Sequence, residues 1–253
     1  MTLYIIGIGL NDEKDITVKG LEAVKKSDFV YLESYTSKLS IDVGVLEKFY
    51  KKKIILANRE LVEKESEKTI LHNAKQKNAA FLVIGDAMSA TTHIDLMLRA
   101  KELGIKTEII QNASVLNAVG ITGLQLYKFG KTGSIPFEDK GFKPETPYDI
   151  IKQNQKIQAH TLLLLDLRPA ENKYMTVNQA IEYLLGIEGK RKEKVFTEKT
   201  FCVGCARLGS SNQTIKVGTS KELMKKDFGE ALHCLIIPSK MHFMEEEALK
   251  MWE

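Results

Sequence analysis

Residues 81–93 constrain this chain more than any other segment. They read Phe-Leu-Val-Ile-Gly-Asp-Ala-Met-Ser-Ala-Thr-Thr-His. Phe81, Leu82, Val83 and Ile84 form a short apolar, partly β-branched run, the pattern of a strand buried on both faces. The run breaks at Gly85-Asp86, and small or hydroxylated residues follow. Beyond His93, apolar residues recur at helical spacing: Ile94, Leu96, Met97, Leu98, Ala100 and Leu103. Thr91 or Thr92 is expected to cap that helix. Strand, polar turn and helix start make a βα unit. Ligands in open α/β sheets bind beyond the carboxyl ends of the strands, and small residues in the turn let them approach the backbone. An ordinary βα connection has the same pattern.

Around this unit, strands alternate with helices in the first half of the chain. Residues 3–10 read as a buried strand ending in glycines, followed by a turn at Asn11-Asp12. A helix follows, with Val18, Leu21 and Val24 on one face and Lys19, Glu22 and Lys25 on the other. Further strands are expected at 29–32, 53–57 and 106–110, with helices at 43–49 and 61–77. This alternation implies a mostly parallel sheet covered on both faces. The second half differs. A close-packed helix is expected from near Ser114, and residues 130–144 are loop-rich. Strands are expected at 161–167, 200–207, 213–218 and 232–238, and helices at 175–185 and 244–252. Strands there follow one another without long helices between them, so that sheet is expected to be mixed. The fold class is therefore α/β with two α/β domains, residues 1–111 and 112–253.

Composition bounds the function. The 37 basic and 33 acidic residues leave a formal charge of +4, too small an excess to argue for direct nucleic-acid binding. No apolar run reaches the length of a membrane span. Met1 leads directly into a strand pattern, so no signal peptide is expected. Three cysteines in 253 residues do not make a disulfide framework, and a reducing cytoplasm is the expected compartment.

Several familiar motifs fail. Gly7-Ile8-Gly9 lacks the third glycine of a dinucleotide fingerprint, because position 12 is Asp. No phosphate loop and no Gly-x-Ser-x-Gly elbow occur. Cys202 and Cys205 lie three apart in an expected strand and so point to opposite faces; buried, inert cysteines and no metal are expected. The five histidines show no metal spacing. His93, at a helix N-terminus that disfavours imidazolium, is expected to be neutral. The charged run at residues 189–194 reads as a solvated loop or as a docking patch for an acidic partner or a ribonucleoprotein surface.

The turn Gly85-Asp86-Ala87-Met88-Ser89-Ala90-Thr91-Thr92-His93 resembles the Gly-Asp-Pro-x-x-Ala-Thr-Thr-His turn of the diphthine synthases. These belong to the tetrapyrrole-methylase-like, class III S-adenosylmethionine methyltransferases. The resemblance extends through residues 4–10, 15–21, 31–37, 112–130 and 174–180. Ala87 departs from the family's proline, which frees φ but removes no polar group. The resemblance implies a tetrapyrrole methylase fold, with S-adenosyl-L-methionine folded in a cleft between the two domains and S-adenosyl-L-homocysteine as product. It places the cofactor against Leu10, Asp86, Ser89, Ser114, Val115, Leu165, Leu208 and His233. Contact at Ser89 is expected through the main chain. The Asp86 carboxylate is expected to accept hydrogen bonds from the cofactor or from nearby amides. The implied acceptor is the amine of a 3-amino-3-carboxypropyl-modified histidine on translation elongation factor 2, and the implied assembly a homodimer. No general base can be named from the sequence. The alternatives are a methylase of the same fold acting on a corrinoid or porphyrin, and a non-catalytic module binding the nucleoside or the elongation factor.

Overall fold

The computed structural model describes residues 1–90, 92–139 and 141–253. The chain divides into two compact units, residues 1–116 and 117–253. In the first, β1 (Thr2–Gly7), β2 (Phe29–Glu33), β3 (Ile55–Ala57), β4 (Ala79–Val83) and β5 (Lys106–Ile110) form one sheet in the order β3-β2-β4-β1-β5. Every pairing in it is parallel. β4 is central and buried throughout, as its unbroken apolar run requires. Alternate residues feed two cores. Leu3, Ile5, Phe81 and Val83 face one, while Ile6, Ala80 and Leu82 face the other. Each large side chain so removed from water contributes about 1.5–3 kcal/mol.

The second core is covered by α1 (Val18–Lys26) and α2 (Val43–Tyr50). Thr17 caps α1, its hydroxyl accepting from the Gly20 amide at 3.0 Å. Val18, expected on the buried face, is exposed. The approach is set at Gly20, where a Cβ would stand 3.0 Å from Ile6 Cγ2, and this turns Val18 away from the sheet. On the other face, the single helix expected over 61–77 is two: α3 (Arg59–Glu63) and α4 (Ile70–Gln76). Residues 63–69 are all polar and offer no apolar stripe, so the chain turns there. α5 (Ile94–Glu102) packs Leu96 and Ala100 into the same core. Of its expected caps, Thr91 lies outside the described residues; Thr92 does not cap, because His93 occupies that position in a helical conformation. α6 (Val115–Ala118) gives the helix expected near Ser114 only one turn before a 3-10 segment at Val119–Thr122.

In the second unit, β6 (Gly133–Ile135), β7 (Thr161–Leu165), β10 (Phe201–Ala206), β11 (Thr214–Thr219) and β12 (His233–Ile237) form a sheet in the order β11-β10-β12-β7-β6. β8 (Leu167–Arg168) and β9 (Lys173–Tyr174) form a separate two-residue ribbon. β6 pairs parallel to β7, and the remaining pairings of the five-stranded sheet are antiparallel, so the sheet is mixed. α7 (Thr146–Lys156), α8 (Val177–Arg191), α9 (Ser220–Leu223) and α10 (Phe243–Leu249) complete the unit. β6, α7 and α9 were not expected. Thr176 caps α8 in a reciprocal box with Gln179. α8 runs on to Arg191, so half of the charged run read as a loop is helix. Cys202 faces the α8 core, while Cys205 lies directly opposite Cys234 on β12. All three thiols are buried, and burial pushes the Cys202 thiol up. Among the described residues, no helix is long and apolar enough to cross a membrane.

Candidate active site

At the carboxyl ends of β1 and β4 the two strands stay joined beyond the regular sheet. The Ile8 amide donates to Val83 O at 2.9 Å, and Gly9 and Gly85 exchange bonds at 3.1 and 2.7 Å. Both glycines are left-handed, at φ +84° and +85°. They differ in surroundings. A Cβ on Gly9 would stand 2.3 Å from Asp15 Cβ, whereas one on Gly85 would meet only Leu10 Cδ2 and Ala113 O, each at 3.8 Å. Asp15 Oδ2 accepts from the Leu10 and Asn11 amides at 3.1 and 2.8 Å and so shapes the first turn.

Asp86 shapes the second. Its Oδ1 accepts from the Met88 amide at 3.0 Å and the Ser89 hydroxyl at 2.8 Å, and its Oδ2 from the Asn112 amide at 2.9 Å. Burial would raise the pKa of this carboxyl, but these donors outweigh burial and hold it below the usual range. Asn112 reaches further, its Nδ2 donating to Gly7 O and Asp15 O at 3.0 and 2.9 Å. Ser114, almost buried, follows immediately and accepts from the Leu116 amide at 3.2 Å. Leu10, Asp86 and Ser89 thus belong to one hydrogen-bonded assembly of turns held by Asp15 and Asn112, with Ser114 and Val115 following Asn112 closely in the chain. Sequence reading gave Asp15 and Asn112 no role, although both lie in the segments that carry the resemblance. Asp86→Ala should leave three donors without their acceptor and destabilise the protein by about 1–3 kcal/mol. Denaturant unfolding at neutral pH measures this. The difference from the parent should shrink as the pH falls through the depressed carboxyl pKa, because the parent's advantage exists only while Asp86 is ionised.

His93 is fully buried, its ring edge-on to Phe81 at a centroid distance of 5.2 Å. Burial lowers its pKa, with the nearby Ala87 backbone tempering the effect, so it is neutral as expected.

In the second unit, Leu165 ends β7, Leu208 follows β10 and His233 opens β12. His233 Nδ1 accepts from the Val177 amide at 3.3 Å, and Nε2 lies 3.1 and 2.9 Å from the Gly229 and Glu230 carbonyls. Its Nε2 therefore carries the proton, and both ring nitrogens are spent on protein backbone. Leu208 follows Arg207, a left-handed residue at φ +51° whose guanidinium bonds the Asn212, Phe228 and Glu230 carbonyls. Among the described residues, no cluster of three or more His, Cys, Asp or Glu is placed to hold a metal ion.

The profile of the family described as Tetrapyrrole (Corrin/Porphyrin) Methylases matches residues 2–224. The chain belongs to that family, and the parallel and mixed sheets described above are its fold. A diphthine methyl ester synthase of Dictyostelium discoideum is 49% identical to it, over 98% of this chain and 96% of the relative. A diphthine synthase of Methanococcus maripaludis is 47% identical, over 98% and 97%. A crystal structure of a diphthine synthase superposes with a TM-score of 0.91 at 40% identity, covering 100% of this chain and 96% of the other. Within the family, this chain is a methyltransferase of the diphthine synthase group.

Proposed function

We propose that this protein methylates the amine of a 3-amino-3-carboxypropyl-modified histidine on translation elongation factor 2, with S-adenosyl-L-methionine as donor, forming diphthine. Near full-length similarity to diphthine synthases supports the substrate. The observation that carries the donor assignment is the Gly9–Gly85 pair. Gly85 presents bare backbone between Leu10 and Ala113, a cradle that a side chain would fill, and the flanking turns are tied by the Asp15 and Asp86 carboxylates. Such a surface fits a nucleoside held through main-chain contacts. On this reading Leu10, Asp86, Ser89, Ser114 and Val115 bind the donor, and Leu165, Leu208 and His233 of the second unit contribute to it. Asp86 does so by fixing the turn, since its oxygens are already engaged, and His233 by its ring face and main chain. S-adenosylmethionine supplies an already activated methyl group, so the protein's task is alignment. The chain's residues hold the donor and exclude water, which favours the unprotonated amine. The reading includes a cytoplasmic homodimer.

The test incubates elongation factor 2 carrying the 3-amino-3-carboxypropyl group with this protein and S-adenosylmethionine. Mass spectrometry should show successive methyl increments, and none on the unmodified factor. Three increments correspond to the trimethylated amine, and a fourth to a carboxyl ester, the product named for the Dictyostelium relative. Failure on the modified factor, with methylation of a corrinoid or porphyrin, would overturn the substrate assignment. Calorimetry should find one S-adenosylhomocysteine site per chain.

A further inference from the structure

The first unit holds a cavity of about 320 Å³ that the turns above do not use. It lies between the C-terminal end of α3 and the N-terminal end of α5. Val62 and Leu96 form its apolar wall, and Glu63, Thr92, His93, Asp95 and Arg99 supply its polar groups. Two observations mark it as a site. His93 is fully buried, and apart from the nearby Ala87 backbone, itself not at hydrogen-bonding geometry, neither ring nitrogen has a polar partner. Arg99 is held in place by Asp95 Oδ2 at 2.5 Å and the Val62 and Glu63 carbonyls at 3.1 and 3.3 Å, but its Nε is buried and unpartnered. Buried polar groups are rarely left unpaired without a functional reason. Beside the cavity, the Tyr35 hydroxyl is also buried and unpartnered; Thr92 stands nearby, and the Arg59 guanidinium lies 5.3 Å from the ring centre. The segments 31–37 and 85–93 thus meet here.

We infer that this cavity seats the α-amino-acid head group of the methyl acceptor, an inference that rests on the function proposed above. The two ends of the cavity differ in sign. At the α5 end, the helix N-terminus favours an anion, and the Thr92 hydroxyl and a His93 N–H are available donors for a carboxylate, with Arg99 Nε, on a guanidinium held against the α3 carbonyls, a further donor towards the middle of the cavity. At the α3 end, Glu63 faces outward with Oε1 3.7 Å from Arg59 Nε, and its second oxygen matches an ammonium or amine. Asp95 is neutralised by Arg99 and does not repel the carboxylate. On the segment leading into α5 the lining begins at Thr92, three residues beyond Ser89 of the turn assigned to the donor. Amine and carboxylate share one carbon, so holding the carboxylate positions the amine. An unmodified histidine side chain has neither group, and the cavity gives it nothing to pair with.

The test uses two small probes, 2-amino-4-(imidazol-2-yl)butanoate and 3-(imidazol-2-yl)propan-1-amine, which lacks the carboxylate. The intact protein with S-adenosylhomocysteine bound should take up the first at least about tenfold more tightly than the second. His93→Phe keeps a buried ring against Phe81 and should melt no lower than the parent. It should also bind S-adenosylhomocysteine normally. It and Thr92→Val should each lose about tenfold in affinity for the amino-acid probe. Equal binding of the two probes, no binding of either, or an unchanged affinity in both variants overturns the assignment. The transfer assay on the modified elongation factor separates the two ideas. Methylation of the factor without probe discrimination removes only the cavity. Probe discrimination without methylation removes the proposed function and leaves the cavity as an amino-acid site.

Discussion

Glu245→Ala should destabilise the protein by about 3–5 kcal/mol, the range for removing one partner of a buried, hydrogen-bonded charge pair. Glu245 is fully buried on α10. It accepts from the Gln125 amide at 2.9 Å, the His242 amide at 2.7 Å and His160 Nε2 at 3.0 Å, and it pairs with the Lys128 ammonium. His160 Nδ1 accepts from the Ser239 amide at 2.9 Å, so Nε2 carries the proton and the ring is a neutral donor. Removing the carboxylate strands four donors, one of them charged. Thermal unfolding should fall by about 2–4 °C for each kcal/mol lost in a chain of this size. Acid should reproduce part of the effect. Burial would raise the Glu245 pKa from its ordinary 4.5, but the donors bring it to about 2. A depressed carboxyl stabilises the fold fully above 4.5 and loses that contribution as the pH falls towards 2. His160 acts in the same direction, because burial lowers its pKa and its protonation would break the Ser239 bond. A parent protein no more stable at pH 6 than at pH 3 would contradict this account.

Alanine at Gly9 should chiefly cost stability, and alanine at Gly85 should chiefly cost donor binding. At Gly9 the new Cβ collides with Asp15 Cβ, and the backbone is left-handed. Overpacking costs about 1–3 kcal/mol and the left-handed conformation about 1–2 kcal/mol. The displaced Asp15 also releases the Leu10 and Asn11 amides, so stability and donor binding should fall together. At Gly85 only the conformational cost applies, because the Cβ meets nothing closer than 3.8 Å. Gly85→Ala should therefore fold, with a loss of about 1–2 kcal/mol. Its methyl projects beside Leu10 and Ala113, into the space assigned to the donor. Affinity for S-adenosylhomocysteine should drop about ten- to a hundredfold by calorimetry. Normal affinity in a folded Gly85→Ala protein would remove the donor from this turn.

The central βα unit was legible because its signals are local. An apolar run, a glycine break and a helical stripe at residues 81–103 needed no partner to be read. The break within 59–76 was legible in principle, since no apolar residue occurs at 63–69, but charged residues of high helix propensity masked it. α7 was missed because Lys, Gln and Asn crowd its exposed face. Its signal was Pro147 at the helix start, followed by Tyr148, Ile151 and Asn154 on the buried side. β6 has only three residues, too few for any period to show. The roles of Asp15 and Asn112 were not legible, because their hydrogen bonds are set by the sheet rather than by neighbours in sequence. The cavity beside His93 was illegible for the same reason: α3 and α5 are brought together across 30 residues of intervening chain.

Asn112 also gives the binding turns a weak point of their own. It sits just past β5, the edge strand of its sheet, and β5 exposes more of its length than the central strands do. Edge segments open locally at a fraction of the free energy needed to unfold the whole domain. When the end of β5 lifts away, Gly7, Asp15 and Asp86 lose a shared partner at the same moment, while the β4 core stays intact. Mild heat or denaturant should therefore inactivate this protein before circular dichroism registers any loss of helix or sheet. Bound donor should protect the amides of residues 110–115 from hydrogen exchange more than those of any other edge.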